Sequence, residues 1–257
     1  MADSVRDFYD QLAIDYHLIY ADWPNAVRRQ GAVLDRLIRT MLGNEPARVL
    51  DCSCGIGTQA IGLAMRGHQV HATDLSERSV DRARAEAPAF SPFAGTLTFG
   101  IADFRDLETV GGTYDVVIAC DNSLPHLVED ADLKSAATTM RARLTDGGLL
   151  IASTRDYDEA LAARPSATEP AVFDGPDGRR VVMQVWDWAP DGRTYTVNLF
   201  ILREAEGVWS MVQHATTYRA LKRRELGGIL ADAGFTQIRW HTSAETGYFQ
   251  PVVTARA

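Results

Sequence analysis

The residues with the clearest chemical use are Asp51, Gly55, Gly57 and Asp74. An apolar run over 48–50 reads as the end of a buried strand. The chain then turns through the two glycines of Asp51-Cys52-Ser53-Cys54-Gly55-Ile56-Gly57. With no Cβ at Gly55 or Gly57, a ligand can come close to the backbone. A helix expected over 58–66 would aim its free N–H groups at that ligand, with Ala60, Ile61, Leu63 and Ala64 available to face a sheet. The next strand-like run, 69–73, ends in Asp74, whose carboxylate can accept hydrogen bonds from both ribose hydroxyls of a nucleoside. A Gly-x-Gly pair alone marks only a tight turn. Strand, acid, two glycines, helix, strand and second acid within about 30 residues make one βαβ unit. Ala60 stands where the third glycine of a dinucleotide fingerprint would fall, so a mononucleoside-sized ligand fits better than NAD.

The rest of the chain must position these residues. Residues 4–20 read as one amphipathic helix, with Val5, Phe8, Leu12, Tyr16 and Ile19 in period and Tyr9, Tyr16 and Tyr20 adding phenols. Trp23-Pro24 marks a break before a second helix over 25–41, buried through Val27, Leu34, Leu37, Ile38 and Met41. After Asp74, Ser76 caps a helix over 77–87 that Pro88 ends. Strands follow over 96–101 and 114–120, then a helix over 130–144 and a strand opened by Gly147-Gly148. Alternating strands and helices imply a parallel sheet with helices on both faces and the ligand at the strands' carboxyl ends. After Tyr157 the pattern changes. Pro165, Pro170 and Pro176 punctuate a loop-rich stretch, and runs over 180–188, 194–203 and 208–219 read as an antiparallel meander over the mouth of the sheet. A helix over 222–233, capped by Gly234, and strands over 235–240 and 251–255 return to the core.

A chain of 257 residues suits one large domain or a domain with a sizeable insertion. Its 26 basic and 34 acidic side chains give a net charge of −8, which argues against a nucleic-acid partner. No apolar run is long enough to span a membrane. Acids at Asp3, Asp7 and Asp10 and the lack of a signal peptide's apolar core make the cytoplasm the default expectation. Three cysteines, an odd number, fit a reducing compartment. Cys52-x-Cys54 with no second pair supplies too few ligands for a closed zinc site, so no metal is expected.

In their order, the Asp51-x-x-x-Gly55-x-Gly57 loop, Asp74, Gly100-Ile101-Ala102-Asp103-Phe104, Tyr114-Asp115-Val116-Val117-Ile118-Ala119-Cys120 and Gly147-Gly148-Leu149-Leu150-Ile151-Ala152 resemble the class I S-adenosylmethionine-dependent methyltransferases. The resemblance runs from about 46 to 155. It implies an α/β, Rossmann-like fold: a seven-stranded, mostly parallel sheet with helices on both faces, plus an antiparallel β insertion over the active site. It divides the chain into an N-terminal helical lid (1–45), a cofactor-binding core (46–157), a substrate-side insertion (158–220) and the C-terminal part of the core (221–257). It implies S-adenosylmethionine as cofactor, held by Tyr16, Tyr20, Arg29, Asp51, Ser53, Gly55, Gly57, Asp74, Leu75, Asp103, Phe104 and Cys120. Within that set Asp51 and the glycine loop take the amino acid end, Asp74 the ribose and Asp103 the adenine amino group. Arg29 either pairs with the cofactor carboxylate or lies solvated beside Arg28.

Two further segments resemble the glycine/sarcosine N-methyltransferase type. Asn122-Ser123-Leu124-Pro125-His126-Leu127 follows the fourth strand. Ser153-Thr154-Arg155-Asp156-Tyr157-Asp158 follows the fifth and matches that family's His-Arg-Asn-Tyr-Asp, with Thr154 and Asp156 as departures. Asn122, His126, Arg155 and Tyr157 are the candidate catalytic residues. Arg155 either holds a substrate carboxylate, for which a planar guanidinium suits, or pairs with Asp121, Asp156 or Asp158. His126 is a base if the acceptor is oxygen and otherwise a structural donor. The resemblance implies methyl transfer to a small molecule, at the nitrogen of a small amine or amino acid. The alternatives are an O-methyltransferase of a small phenol or carboxylate and a catalytically silent nucleoside-binding subunit. A homo-oligomer is compatible with the N-terminal helix and the meander as surfaces.

Overall fold

The computed structural model describes residues 2–175 and 178–257, with side chains from Ser4 onward. Pro176 and the Asp3 carboxyl lie outside the described residues. The chain lays down β1 (Arg48–Asp51), β2 (Gln69–Asp74), β3 (Thr96–Ile101), β4 (Tyr114–Ala119) and β5 (Leu144–Ser153). It then builds β6 (Ala171–Gly175), β7 (Gly178–Trp188), β8 (Thr194–Ala205) and β9 (Val208–Arg219), and ends with β10 (Thr236–His241) and β11 (Val252–Arg256). The helices are α1 (Ala2–Leu12), α2 (Trp23–Leu42), α3 (Thr58–Ala64), α4 (Glu77–Glu86), α5 (Asp130–Ala142), α6 (Tyr157–Ala163), α7 (Arg223–Asp232) and α8 (Ser243–Thr246).

Seven strands form one sheet in the order β10-β11-β5-β4-β1-β2-β3, in which β11 runs antiparallel to both its neighbours. Its inner strands bury both faces, as parallel sheets do, while the edge strands β3 and β10 stay partly exposed. Val116 and Ile118 of β4 join the core under α2, α3 and α4, while Val117 and Ala119 join the one under α5 and α7. The second sheet is an antiparallel meander, β6-β7-β8-β9. Phe8 and Leu12 of α1 pack against its Val182, Leu199 and Ile201. These two elements form a roof over the carboxyl ends of the core strands.

Several boundaries differ from the sequence reading, each for a physical reason. The helix expected over 4–20 stops at Leu12, and a separate 3₁₀ turn covers Tyr16–Ile19. Between them Asp15 turns inward to take the Arg203 guanidinium of β8, so a long-range ion pair outweighs local periodicity. Trp23-Pro24 is the first turn of α2 rather than a break: Asp22 caps it by accepting from Asn25 N, and proline is tolerated there. The helix placed over 130–144 ends at Ala142, because Leu144 pairs with Tyr114 in the sheet. The helix over 58–66 ends at Ala64, ahead of Gly67 at φ +99°. The stretch read as loops contains α6 and β6. The remaining strands and the Ser76 cap fall where the sequence puts them.

Helix α2 seats on α3 through two glycines. A Cβ on Gly31 would come within 2.5 Å of the Gly62 backbone, and one on Gly62 within 2.4 Å of the Val27 carbonyl. Neither backbone can yield without parting the helices. Gly62→Ala is expected to lower stability by about 1–3 kcal/mol, the usual cost of overpacking, measured by urea denaturation. An unchanged midpoint would show that the crossing tolerates a methyl group.

Candidate active site

Two cavities meet at the carboxyl ends of the core strands. The first, about 400 Å³, is lined by Ser53, Cys54, Gly55, Asp74, Leu75, Asp103, Phe104, Cys120 and His126, among others. The second, about 460 Å³, is lined by Tyr20, Arg29, Asn122, Arg155, Gln184 and Tyr218, among others. Tyr9, Tyr16 and Asp121 line both and form the wall between them. Of the residues singled out in the sequence, Asp51, Gly57 and Tyr157 line neither cavity and lie behind the others.

The turn after β1 leaves its backbone open to the first cavity. Gly55 (φ +51°) and Gly57 (φ +91°) adopt left-handed conformations that side chains resist. The Gly55 N–H donates to Asp74 Oδ2 at 2.8 Å, and Ser76 N donates to Oδ1 at 2.9 Å. Burial pushes the Asp74 carboxyl up, against these amides. Asp51 is 1% exposed; it accepts from Ser53 N at 3.3 Å, while its Oδ2 has no partner. Burial lifts its pKa to about 8, with Asp74 adding to the rise. Asp103 is less free than expected. Burial raises it, but a forked pair with Arg105 at 3.0 Å prevails and holds it below the usual carboxylate range. Cys52 and Cys54 are buried free thiols.

At the second cavity, Asp121 (φ +58°) and Asn122 (φ +65°) follow β4 in consecutive left-handed conformations. Asn122 Oδ1 accepts from Arg155 N and from the Tyr157 hydroxyl, both at 3.0 Å, and its Nδ2 is buried without a partner. Tyr157 is therefore a support for Asn122. The Arg155 guanidinium donates to the Tyr195 hydroxyl at 2.8 Å and to Gln184 Oε1 at 3.0 Å, and lies over the rings of Trp186 and Tyr218. None of the carboxylates weighed as its partner takes it. Asp156 and Asp158 pair with Arg223, and Asp121 Oδ2 accepts from the hydroxyls of Tyr20 (3.0 Å) and Tyr16 (3.5 Å). Arg29 is exposed at the rim of this cavity, whereas Arg28 bonds the Pro24 carbonyl and lies over Phe90. His126 meets the Tyr9 hydroxyl at 2.7 Å, and burial, with Arg155 adding, lowers its pKa to about 3.

Sequence reasoning missed Asp121 and Gln184. Asp121 carried a signal, an acid directly after a buried strand's end; Gln184 carried none beyond its place on a meander strand.

Residues 49–148 match the family described as a methyltransferase domain. A magnesium-protoporphyrin O-methyltransferase of Synechocystis is 31% identical over 157 residues, 57% of this chain and 66% of the relative. A glycine/sarcosine N-methyltransferase of Parasynechococcus marenigrum is 31% identical over 141 residues, 54% of this chain and 48% of the relative. The chain thus spans two thirds or less of these relatives' length. In fold it is similar to S-adenosylmethionine-bound CalS10, an amino pentose methyltransferase from Micromonospora echinaspora, with a TM-score of 0.70, 20% identity, and 90% of this chain and 91% of that one covered. Residues 49–148 thus form a methyltransferase domain, in a chain with the fold of the class I S-adenosylmethionine-dependent methyltransferases. The first cavity suits S-adenosylmethionine, the cofactor of that class. An open glycine turn, Asp51 buried behind it with an oxygen unpartnered among the described residues, and Asp74 at the end of β2 are present together. No helix of the described residues is long and apolar enough to cross a membrane.

Asp74→Ala is expected to weaken S-adenosylhomocysteine binding by about 2–4 kcal/mol, roughly 30- to 1,000-fold, through lost charged hydrogen bonds. Calorimetry reads this directly, and unchanged heat would remove Asp74 from the site. Asp51 gives a pH signature. Its folded-state pKa is raised, so the folded protein keeps a proton there that the unfolded chain loses, and stability from this group falls as pH rises toward about 8. Asp51 lines neither cavity, so it acts on a ligand ammonium through its field, and that field favours the ammonium only in the ionised form. Affinity is therefore expected to climb between pH 6 and about 8 and to lose that slope in Asp51→Asn.

Proposed function

We propose that this chain transfers the sulfonium methyl group of S-adenosylmethionine to a small molecule, at the nitrogen of a small amine or amino acid. The observation that carries the reading is Arg155: a guanidinium facing the second cavity with phenol, amide and ring partners but no carboxylate among the described residues. A charge in such a place needs a counter-charge, and a substrate carboxylate supplies one in the bidentate geometry arginine favours. Asn122 Nδ2, unpartnered and buried, is a second donor for the same ligand.

Bound S-adenosylmethionine supplies an electrophilic methyl on a positively charged sulfur. The protein's task is then placement, since aligned reactants gain roughly 7–11 kcal/mol at best over free encounter. In this reading Ser53, Gly55, Asp74, Leu75, Asp103, Phe104 and Cys120 hold the cofactor, with Asp51 and Gly57 setting the turn. Tyr16 and Tyr20 stand at the transfer point, and Asn122 and Arg155 hold the acceptor. Arg29 sits at the acceptor's rim rather than in the cofactor cavity. Residues 1–45, which begin with α1 and include α2, act as the helical lid, the insertion (158–220) with its meander supplies the substrate side, and 46–157 with 221–257 form the core.

The curated relatives include both N- and O-methyltransferases. Local chemistry favours nitrogen, because an oxygen acceptor needs a general base tuned near the working pH. His126, at about 3, is neutral but a feeble proton acceptor, and it is engaged by Tyr9. Arg155→Ala is expected to raise KM for the acceptor by about 30-fold or more, the 2 kcal/mol lower bound for stripping a charged partner. Cofactor affinity by calorimetry should stay unchanged. An unaltered KM would remove the reason for choosing a carboxylate substrate. His126→Ala should reduce an N-methyltransferase only slightly; abolished turnover would favour oxygen.

A further inference from the structure

We infer that Asp121 binds the acceptor's ammonium group and takes its proton, which makes the substrate class a small zwitterion held by Asp121 at the nitrogen and by Arg155 at the carboxylate. The inference rests on the nitrogen reading above and adds the group that reading lacks. An amine near pKa 10 is protonated in neutral water and has no lone pair with which to attack.

Asp121 belongs to both cavities, so its carboxylate stands where acceptor and methyl donor must meet. The hydroxyls of Tyr20 and Tyr16 both address Oδ2, which leaves Oδ1 to a ligand. Arg155 lines the same second cavity, and its guanidinium bonds Tyr195 and Gln184 rather than Asp121, so the acid and the guanidinium present two separate charged ends to one ligand. The backbone is held for this purpose: a non-glycine residue at φ +58° marks a place where position matters more than comfort. The facing charged or titratable groups are Tyr9 of α1, Tyr16 and Tyr20 from the segment after it, Arg29 from α2, Cys120 after β4, Arg155 after β5, Tyr218 from β9 and Tyr248 before β11. Burial raises the Asp121 carboxyl, and Tyr20, Arg155 and Tyr16 pull it back. It is thus a stronger base than an ordinary carboxylate while remaining ionisable.

The step balances. The substrate ammonium gives its proton to Asp121 Oδ1, the freed lone pair forms the C–N bond, and the C–S bond breaks with its electron pair left on sulfur. The product leaves as a methylammonium, and the proton on Asp121 passes to water.

Asp121→Asn tests this without disturbing the turn. Asparagine tolerates the left-handed region as aspartate does, and its carbonyl oxygen can still accept from both phenols. Glycine, sarcosine, small aliphatic amines, amino sugars and phenols serve as acceptors, with methyl transfer followed by product mass. Expected are nitrogen methylation by the wild type and a drop in kcat/KM of about 100-fold or more in Asp121→Asn at neutral pH, the lower bound for losing a general base. The loss should shrink as pH approaches the amine's own pKa. Tyr20→Phe removes one donor to the carboxylate, so the acidic limb of the profile should move to higher pH. Calorimetry should find S-adenosylmethionine and S-adenosylhomocysteine bound by Asp121→Asn as by wild type. Nitrogen methylation that survives in Asp121→Asn with an unchanged pH profile overturns the inference alone. Weakened S-adenosylmethionine with intact S-adenosylhomocysteine overturns it too, by assigning Asp121 to the sulfonium. Methylation of phenols only overturns it together with the nitrogen reading.

Discussion

The site depends on two consecutive residues held in the left-handed region, Asp121 and Asn122. Neither is glycine, although aspartate and asparagine tolerate this region at less than the roughly 1–2 kcal/mol that other side chains meet there. The strain is offset locally. Asp121 N donates to Ser153 Oγ at 2.8 Å, and Asn122 N donates to the Ser153 carbonyl at 3.1 Å. Arg155 N and the Tyr157 hydroxyl both donate to Asn122 Oδ1. Hydrogen bonds of about 0.5–1.5 kcal/mol net each make four of them comparable to the strain. Gln250 Oε1 fixes Ser153 Oγ in turn, so β4, β5 and the loop before β11 all converge on this turn. The result aims Asp121 at the wall between the cavities and ties Arg155 to the same frame.

Much of this was legible in the sequence because it is local. The βαβ unit, the glycine turn, Asp74 at the end of β2 and the Ser76 cap are dictated by residues within a few positions of one another. What stayed hidden depends on partners far along the chain. Asp15 meets Arg203 across 188 positions and so breaks a helix that periodicity extends to residue 20. Tyr20 meets Asp121 across 101 positions, which turns two lid phenols into ligands of an acid the sequence offered only as a partner for Arg155. Gln184 and Tyr195 take Arg155 because the meander folds over it, and no spacing rule reports that register. Tyr157 illustrates the opposite limit. Its place in a family-like segment suggested a reacting group, yet the structure buries it fully as a prop under Asn122.

The two cavities are electrically unlike, and that asymmetry sorts what each can hold. Asp51 Oδ2 is a buried acceptor without a donor, whereas Asn122 Nδ2 is a buried donor without an acceptor. An unmet buried polar group costs about 1–3 kcal/mol, so each end favours a ligand of the opposite kind. A cationic group fits the Asp74 side, with Asp51 behind it, and a carboxylate fits the Arg155 side. Between them stand phenols whose pKa burial raises well above the usual value, so Tyr16 and Tyr20 remain neutral. A neutral aromatic wall keeps water out and lowers the local dielectric, which strengthens every charge interaction across it. In that setting the carboxylate in the wall, Asp121, borders both cavities. Its charge is held in place by two hydroxyls rather than by a cation, so it stays available to a cationic ligand.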